Sequence, residues 1–351
     1  MASTLSLADK TFIVTGANSG LGFETAKALA RQDAHVIFAV KTKAKGDDAI
    51  RHIQELATKR AKLECMQVDL ASFSSIKDFS NKFLDSGTPL HVLINNAGTY
   101  PLTTACNLLI SIYGTETRKQ YDKKFKERHF VPAGVFIPPD DRTEEDFEVT
   151  MGIDHFAPFY MTHLLLQNLE QNAPSRIVNL GSMAESYAPA DWKSALTGRQ
   201  FERSGMQAYG TAKLFNIMLA KEYSKRLKGK KIDAFAAHPG TAKTAIWDKM
   251  DKEKVEGVAF DLTAKPTSQS QETGALPVIR AATDPTLTGQ GFKYFGPFYK
   301  GPINANIGNE EERTTTNPVA DDMDACKELY DMTLEIVGQK APEILDLAMP
   351  A

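Results

Sequence analysis

Apolar residues in this chain fall in short runs, and between them they recur at three- and four-residue spacing. Residues 11–15 (TFIVT) end in glycine-rich sequence and lead into LGFETAKALARQ at helical spacing. The run His35–Val40 follows, then an amphipathic stretch over 44–59. Residues 63–68 and 91–94 read as further strands, with a helical pattern over 72–84 between them. Beyond a long irregular region come a helix over 154–172, a strand over 176–180, a helix over 206–227 and a strand over Ile232–Ala237. Short strands alternating with helices predict βαβ units, right-handed crossovers and a parallel sheet covered on both faces. The expected fold is α/β: a Rossmann-type doubly wound parallel sheet in a single domain over 1–351. A small C-terminal substrate lobe, about 245–351, is expected at its carboxyl edge. The chain shows no internal repeat, low-complexity tract or interdomain linker.

Composition changes this picture little. Hydrophobic residues make up 42% and charged residues 24% of 351, as in an ordinary soluble globular protein. A net charge of −3 gives no electrostatic reason to expect nucleic acid or an anionic membrane as partner. Cys65, Cys106 and Cys326 are scattered and in no metal-ligand spacing. They suit a reducing compartment, and no metal site is expected. No apolar run reaches membrane-spanning length, and 1–10 lack a signal-peptide core, so a cytoplasmic enzyme is expected.

The first βα turn reads Thr15-Gly16-Ala17-Asn18-Ser19-Gly20-Leu21-Gly22. Glycines there permit a tight turn and bring the backbone close to a pyrophosphate at a positive helix N-terminus. A glycine-rich turn is weak evidence alone, but this one stands between a strand and a helix. The end of the second strand discriminates between cofactors, because an acid there binds ribose hydroxyls and a base accepts a 2′-phosphate. Here Lys41-Thr42-Lys43 follow Val40, with no acid until Asp47. Lys41 is the expected phosphate ligand, supported by Thr42 or Lys43, so NADP is favoured over NAD; a solvated basic loop is the less favoured alternative. Asp69, with Leu70 after it, either accepts from an adenine amino group or caps the next helix. Asn95-Asn96-Ala97-Gly98 forms a small turn beside the same crevice, where Asn96, Ala97 and Gly98 would line the cofactor.

Tyr209 and Lys213 lie four apart at the start of a helical pattern, hence on one face. A phenol is a poor base at neutral pH, and a neighbouring ammonium favours its phenolate. Isolated matches to this spacing are common. Upstream, strand 176–180 ends in Gly181-Ser182, where a serine hydroxyl can donate to a carbonyl oxygen. After the next strand, His238-Pro239-Gly240 makes a turn at the cofactor crevice, and Thr244 either meets a nicotinamide carboxamide or caps a helix.

The ordered set TGANSGLG, NNAG, GSMA, YGTAK and HPGTAKT resembles the short-chain dehydrogenase/reductase family across nearly the whole chain. The segment between Ser182 and Tyr209 is similar to the retinol-dehydrogenase-like and WW-domain-oxidoreductase-like members. The resemblance implies that Ser182 polarises a carbonyl, Tyr209 transfers the proton, and Lys213 tunes Tyr209 and binds the nicotinamide ribose. The expected activity is NADP(H)-dependent interconversion of a hydrophobic alcohol and its ketone or aldehyde. A non-catalytic, nucleotide-sensing or interaction protein is the alternative; it suits the Tyr/Lys pair less well. An epimerase or dehydratase on the same scaffold usually carries a different glycine spacing. Substrate walls are expected from 185–207, including Tyr187 and Trp192, and from Trp247 and Met250. A homodimer or homotetramer through the Asp154 and Tyr209 helices is common in the family.

Two departures stand out. The family's fourth catalytic residue, an asparagine that bends its helix and holds a relay water, is replaced by Asp154 in Asp154-His155-Phe156-Ala157-Pro158-Phe159. An ionised aspartate cannot donate, and its charge opposes a Tyr209 phenolate unless Lys213 compensates it or burial keeps it protonated. Second, residues 99–134 exceed the family's usual length, and their net charge is +3 against −6 for the rest of the chain. They read either as an inserted lid or interaction element, or as an intron translated in frame; the Gly98-Thr99-Tyr100 and Ala133-Gly134 borders favour the intron.

Overall fold

A computed structural model describes residues 6–99, 142–196, 205–240, 269–300, 305–307 and 311–350. Seven parallel strands form one sheet in the order β3-β2-β1-β4-β5-β6-β7. They are β1 (Thr11–Thr15), β2 (His35–Val40), β3 (Lys62–Gln67), β4 (Val92–Asn95), β5 (Ser175–Leu180), β6 (Ile232–Ala237) and β7 (Tyr294–Phe295). The chain begins in the middle, winds outward to β3, then returns to lay β4 beside β1. The carboxyl ends of β1 and β4 therefore border the crevice where the winding reverses, which is where such sheets bind ligands.

Alternation along the strands explains how helices cover both faces. Ile13 and Ile37 point into one core, whereas Phe12, Val14, Val36 and Phe38 point into the other. On the second face lie α1 (Gly20–Ala30), α2 (Lys43–Gln54) and α6 (Gln271–Thr283), contributing Leu29, Ile53 and Val278. On the first lie α3 (Phe73–Asp85), α4 (149–171) and α5 (Gly205–Arg226), contributing Phe79, Phe159 and Phe215. Each such side chain, fully buried, stabilises the fold by roughly 1.5–3 kcal/mol. Helix α4 is composite: Val149–Met151, a π-helical turn at Gly152–Phe156, then Ala157–Gln171.

The C-terminal region does more than append to the sheet's edge. α6 packs on α1, β7 pairs with β6 through Ala236 opposite Tyr294, and α7 (Met323–Gly338) lies along α5. His155 meets Thr333 at 3.0 Å, and His163 meets the Tyr330 hydroxyl at 2.9 Å. Arg226 stacks 3.9 Å over the Tyr330 ring and bonds Glu222 at 2.6 Å. Burial lowers His155 to a pKa of about 3 and His163 to about 4, so both rings are neutral packing groups. α7 of the same chain packs against both helices through which a dimer or tetramer is expected. Among the described residues, no helix is long and apolar enough to cross a membrane.

Candidate active site

The β1–α1 turn forms an open cradle. Gly16 and Gly20 have φ of +68° and +60°, values that L side chains rarely adopt. A Cβ on Gly22 would stand 2.5 Å from Asn96 Nδ2 and from the Gly16 carbonyl oxygen, so glycine is required for close approach. Among the described residues, a Cβ on Gly20 would meet nothing within 4 Å, which leaves space above the start of α1. Ser19, the N-cap of α1, makes no side-chain cap bond, so the first amides of that helix have no acceptor from it. Uncapped helical amides beside open space fit a pyrophosphate. Asn18 and Leu21 belong to the same turn. Thr15, which the motif reading passed over, fixes the facing loop: its hydroxyl accepts from Asn96 N at 2.9 Å and Ala97 N at 2.8 Å.

At the end of β2, Lys41 Nζ pairs with Asp69 Oδ2 at 2.8 Å, and the Lys41 side chain is 66% exposed. Lys43 is engaged elsewhere, with Asp47 at 2.8 Å. Asp69 does not cap α3. Ser72 does, accepting from Ser75 N, while Asp69 Oδ1 accepts from Ala71 N at 3.0 Å and shapes the turn before it. Leu70 packs against the core from this turn. Across the crevice, Gly240 has φ +64° and its N–H donates to His238 Nδ1 at 3.1 Å, while Gln269 bonds the Pro239 carbonyl. Thr244, Trp247 and Met250 lie outside the described residues. Trp192 is buried edge-on to Phe215, so it serves the core, and Tyr187 is exposed.

The chemistry-bearing side chains converge at the carboxyl ends of β4 and β5. Ser182 leaves β5 and caps the turn Met183–Tyr187, its hydroxyl accepting from Ala184 N at 3.1 Å. It is also hydrogen-bonded to the Tyr209 phenol. One turn along α5, Lys213 Nζ stands 5.3 Å from the Tyr209 ring centroid. It forms an ion pair with Asp154 Oδ2 at 2.9 Å; both residues are buried. Asp154 is carried into the site by the π-helical turn, and its Oδ1 accepts from Thr99 N at 2.7 Å and Thr99 Oγ1 at 3.0 Å. Thr99, the first residue of the expected insertion, is thus part of the site, and no sequence signal marks it. Gly98 lies against the ion pair: its Cβ would stand 2.7 Å from Asp154 Oδ2 and 2.9 Å from Lys213 Nζ.

Electrostatics modify the expected tuning of the phenol. Burial raises the pKa of Tyr209 and Asp154 adds to it, outweighing the opposing pull of Lys213 and the Ser182 bond. Burial likewise raises Asp154 despite Lys213, and Asp154 holds Lys213 above its ordinary value against burial. The lysine is shared with a carboxylate, so it is not free to stabilise a phenolate alone. Beneath the site, Asn95 Nδ2 donates to Asn179 Oδ1 at 2.9 Å, and Asn179 Nδ2 donates to the Asn216 carbonyl at 3.2 Å. These amides tie β4 to β5 and β5 to α5 beneath the site.

Comparison with known proteins agrees with this geometry. The family model for short chain dehydrogenase matches residues 10–111 and 132–255, the break falling within the atypical segment. Mouse Retinol dehydrogenase 11 is 36% identical over 244 residues, covering 70% of this chain and 65% of that protein. The chain thus spans just under two thirds of that relative's length. Mouse Retinol dehydrogenase 12 is 31% identical over 302 residues, covering 86% and 82%, and the WW domain-containing oxidoreductase of Gallus gallus is 30% identical over 311 residues, covering 87% and 65%. An uncharacterized Mycobacterium paratuberculosis protein of known crystal structure superposes with a TM-score of 0.63 at 25% identity, covering 95% of this chain and 94% of that one. The Sphingobium yanoikuyae short-chain dehydrogenase solved with NADPH shares the fold, with a TM-score of 0.51 at 19% identity and coverage of 77% and 84%. With a sheet that reverses at β1 and β4, a glycine cradle at that reversal and a serine, tyrosine and lysine gathered beside it, the chain belongs to the short-chain dehydrogenase/reductase family, on the retinol-dehydrogenase-like branch.

Proposed function

We propose that this chain is an NADP(H)-dependent oxidoreductase that interconverts a hydrophobic alcohol and its ketone or aldehyde, with Tyr209 as acid/base. The observation that carries this reading is the contact of Ser182 with Tyr209, one helical turn from Lys213, beside the Gly16–Gly22 cradle. A bound nicotinamide supplies or accepts the hydride. Ser182 donates a hydrogen bond to the substrate oxygen, and Tyr209 delivers a proton to it or removes one. Lys213 holds the nicotinamide ribose, and Asp154 holds Lys213. A phenol kept protonated by burial is the form that donates a proton to a carbonyl oxygen. Lys41 at the end of β2, with no acid in its place, supports NADP over NAD. Relatives named retinol dehydrogenase support a hydrophobic alcohol or carbonyl as substrate. Unpaired Cys65 and Cys326 support a reducing, cytoplasmic setting.

The test joins NADPH fluorescence on binding with turnover of a panel of hydrophobic ketones and aldehydes. Tyr209→Phe is expected to keep cofactor binding and lose about 10²-fold or more in turnover. Cofactor binding with no turnover in either protein would overturn this reading. It would favour a nucleotide-binding or interaction protein, a reading in which the Asp154 charge beside Tyr209 fits naturally.

A further inference from the structure

Glu185 lies three residues beyond Ser182 and is completely buried. A carboxylate in that position is costly unless its hydrogen bonds require it. Its Oε1 accepts from Thr316 N at 2.8 Å and from Thr316 Oγ1 at 3.1 Å, and its backbone carbonyl accepts from Asn317 Nδ2 at 3.3 Å. The same turn is tied directly to the serine: Glu185 N donates to the Ser182 carbonyl at 3.1 Å, and Ala184 N donates to Ser182 Oγ at 3.1 Å. On its other side the turn rests on α5 at Gly210, where a Cβ would stand 2.2 Å from the Ala184 carbonyl oxygen. Gly210 is the neighbour of Tyr209, so the turn is held between the tyrosine's helix and residues 316–317.

Residues 311–317 also reach the cofactor side. Arg313 N donates to the Tyr294 carbonyl at 2.8 Å, and its guanidinium donates to the Pro297 carbonyl at 2.8 Å and touches the His238 ring. His238 in turn receives the Gly240 N–H. One short segment thereby braces both the serine turn and the Pro239-Gly240 turn.

We propose that Glu185 is a positioning residue for Ser182, fixing the serine's turn through its clasp on Thr316 and Asn317. This rests on the oxidoreductase reading for its kinetic consequence, though not for its structural one. One carboxylate oxygen makes both side-chain contacts, and Oε2 has no hydrogen-bond partner among the described residues. Glutamine can therefore replace the clasp, and alanine cannot.

The experiment compares Glu185→Ala, Glu185→Gln and Thr316→Val in the full chain. It reads kcat, KM for NADPH, and amide hydrogen exchange over 182–188. Glu185→Ala is expected to lower kcat about tenfold with KM for NADPH changed less than about twofold, because only the serine is displaced. It should speed exchange at Ala184 and Glu185 about tenfold while β1 and α1 stay protected. Glu185→Gln should restore both. Thr316 is exposed, so Thr316→Val should keep the fold and speed the same amides about threefold. Unchanged exchange in Glu185→Ala, or equal losses in the alanine and glutamine variants, overturns the proposal. If no form turns over any carbonyl, the oxidoreductase reading fails, and the exchange rates still decide whether Glu185 holds the turn.

Discussion

Lys213 Nζ stands 2.9 Å from Asp154 Oδ2, so the ammonium beside the tyrosine already has a counter-ion. Removing that charge while keeping the shape is the direct way to read its effect. In Asp154→Asn one cause of the raised Tyr209 pKa disappears. Alcohol oxidation needs the phenolate, so its rising limb should move to lower pH. Carbonyl reduction needs the phenol, so its falling limb should move the same way. Breaking a buried ion pair also costs about 3–5 kcal/mol, readable as a loss in denaturant midpoint. Unchanged limbs would remove the Asp154 charge from the tuning of Tyr209.

Among the described residues, the exposed Lys41 side chain is held only by its surface pair with Asp69, which is worth at most about 1 kcal/mol. Lys41→Ala should therefore leave stability unaltered. It should weaken NADPH binding about tenfold, consistent with losing one charge-assisted contact, and change NADH binding less than about twofold. Fluorescence titration of both cofactors checks this. Equal weakening of the two would mean that Lys41 does not read the 2′-phosphate.

Cys326 is buried against the α5 side of the core, its Sγ directed at the Ala320 carbonyl at 3.7 Å, and burial pushes its thiol up to about 12. At pH 8 its thiolate fraction in the native state is then roughly one in ten thousand. Iodoacetamide should leave Cys326 unmodified in the folded protein and label it on denaturation, as peptide mass analysis would show. Rapid labelling in the native state would mean that α7 opens readily.

Removing residues 99–134 joins Val135 to Gly98. Both Thr99 contacts to Asp154 are then lost, while the Lys213 pairing of that carboxylate remains. The shortened chain should fold with a melting temperature within a few degrees of the parent. It should turn over carbonyl substrates at least as fast. A large loss of turnover would make the segment a working part of the protein, and transcripts that lack any spliced junction there would defeat the intron explanation.

Strands β1, β2 and β4 were legible as short apolar runs, and β3, β5 and β6, which charged residues interrupt, from their place between helical patterns. β7 was not: Tyr294 and Phe295 are two residues among glycines, and only pairing with β6 makes them a strand. Tyr209, Lys213 and Ser182 could be read from spacing and from position at strand ends. The Asp154 pairing was legible only as an alternative, since the π-helical turn that brings it to Lys213 depends on packing: a Cβ on Gly152 would stand 2.2 Å from Thr143 Cγ2. Thr15, Thr99, Glu185 and Arg313 were missed for a common reason. Each acts through partners distant in sequence, and no local pattern encodes such contacts.

The clasp on Glu185 also imposes an order on synthesis. Glu185 and Thr316 are separated by 131 residues. A ribosome that has just made β6 has already made Ser182, Tyr209 and Lys213, and every recognisable motif up to His238-Pro239-Gly240. The serine's turn still lacks its brace, and α4 and α5 still lack the helix that covers them. A chain stopped near residue 300 would carry each diagnostic motif yet leave the Glu185 carboxylate without the donors that Thr316 supplies, and α4 and α5 without the packing of α7.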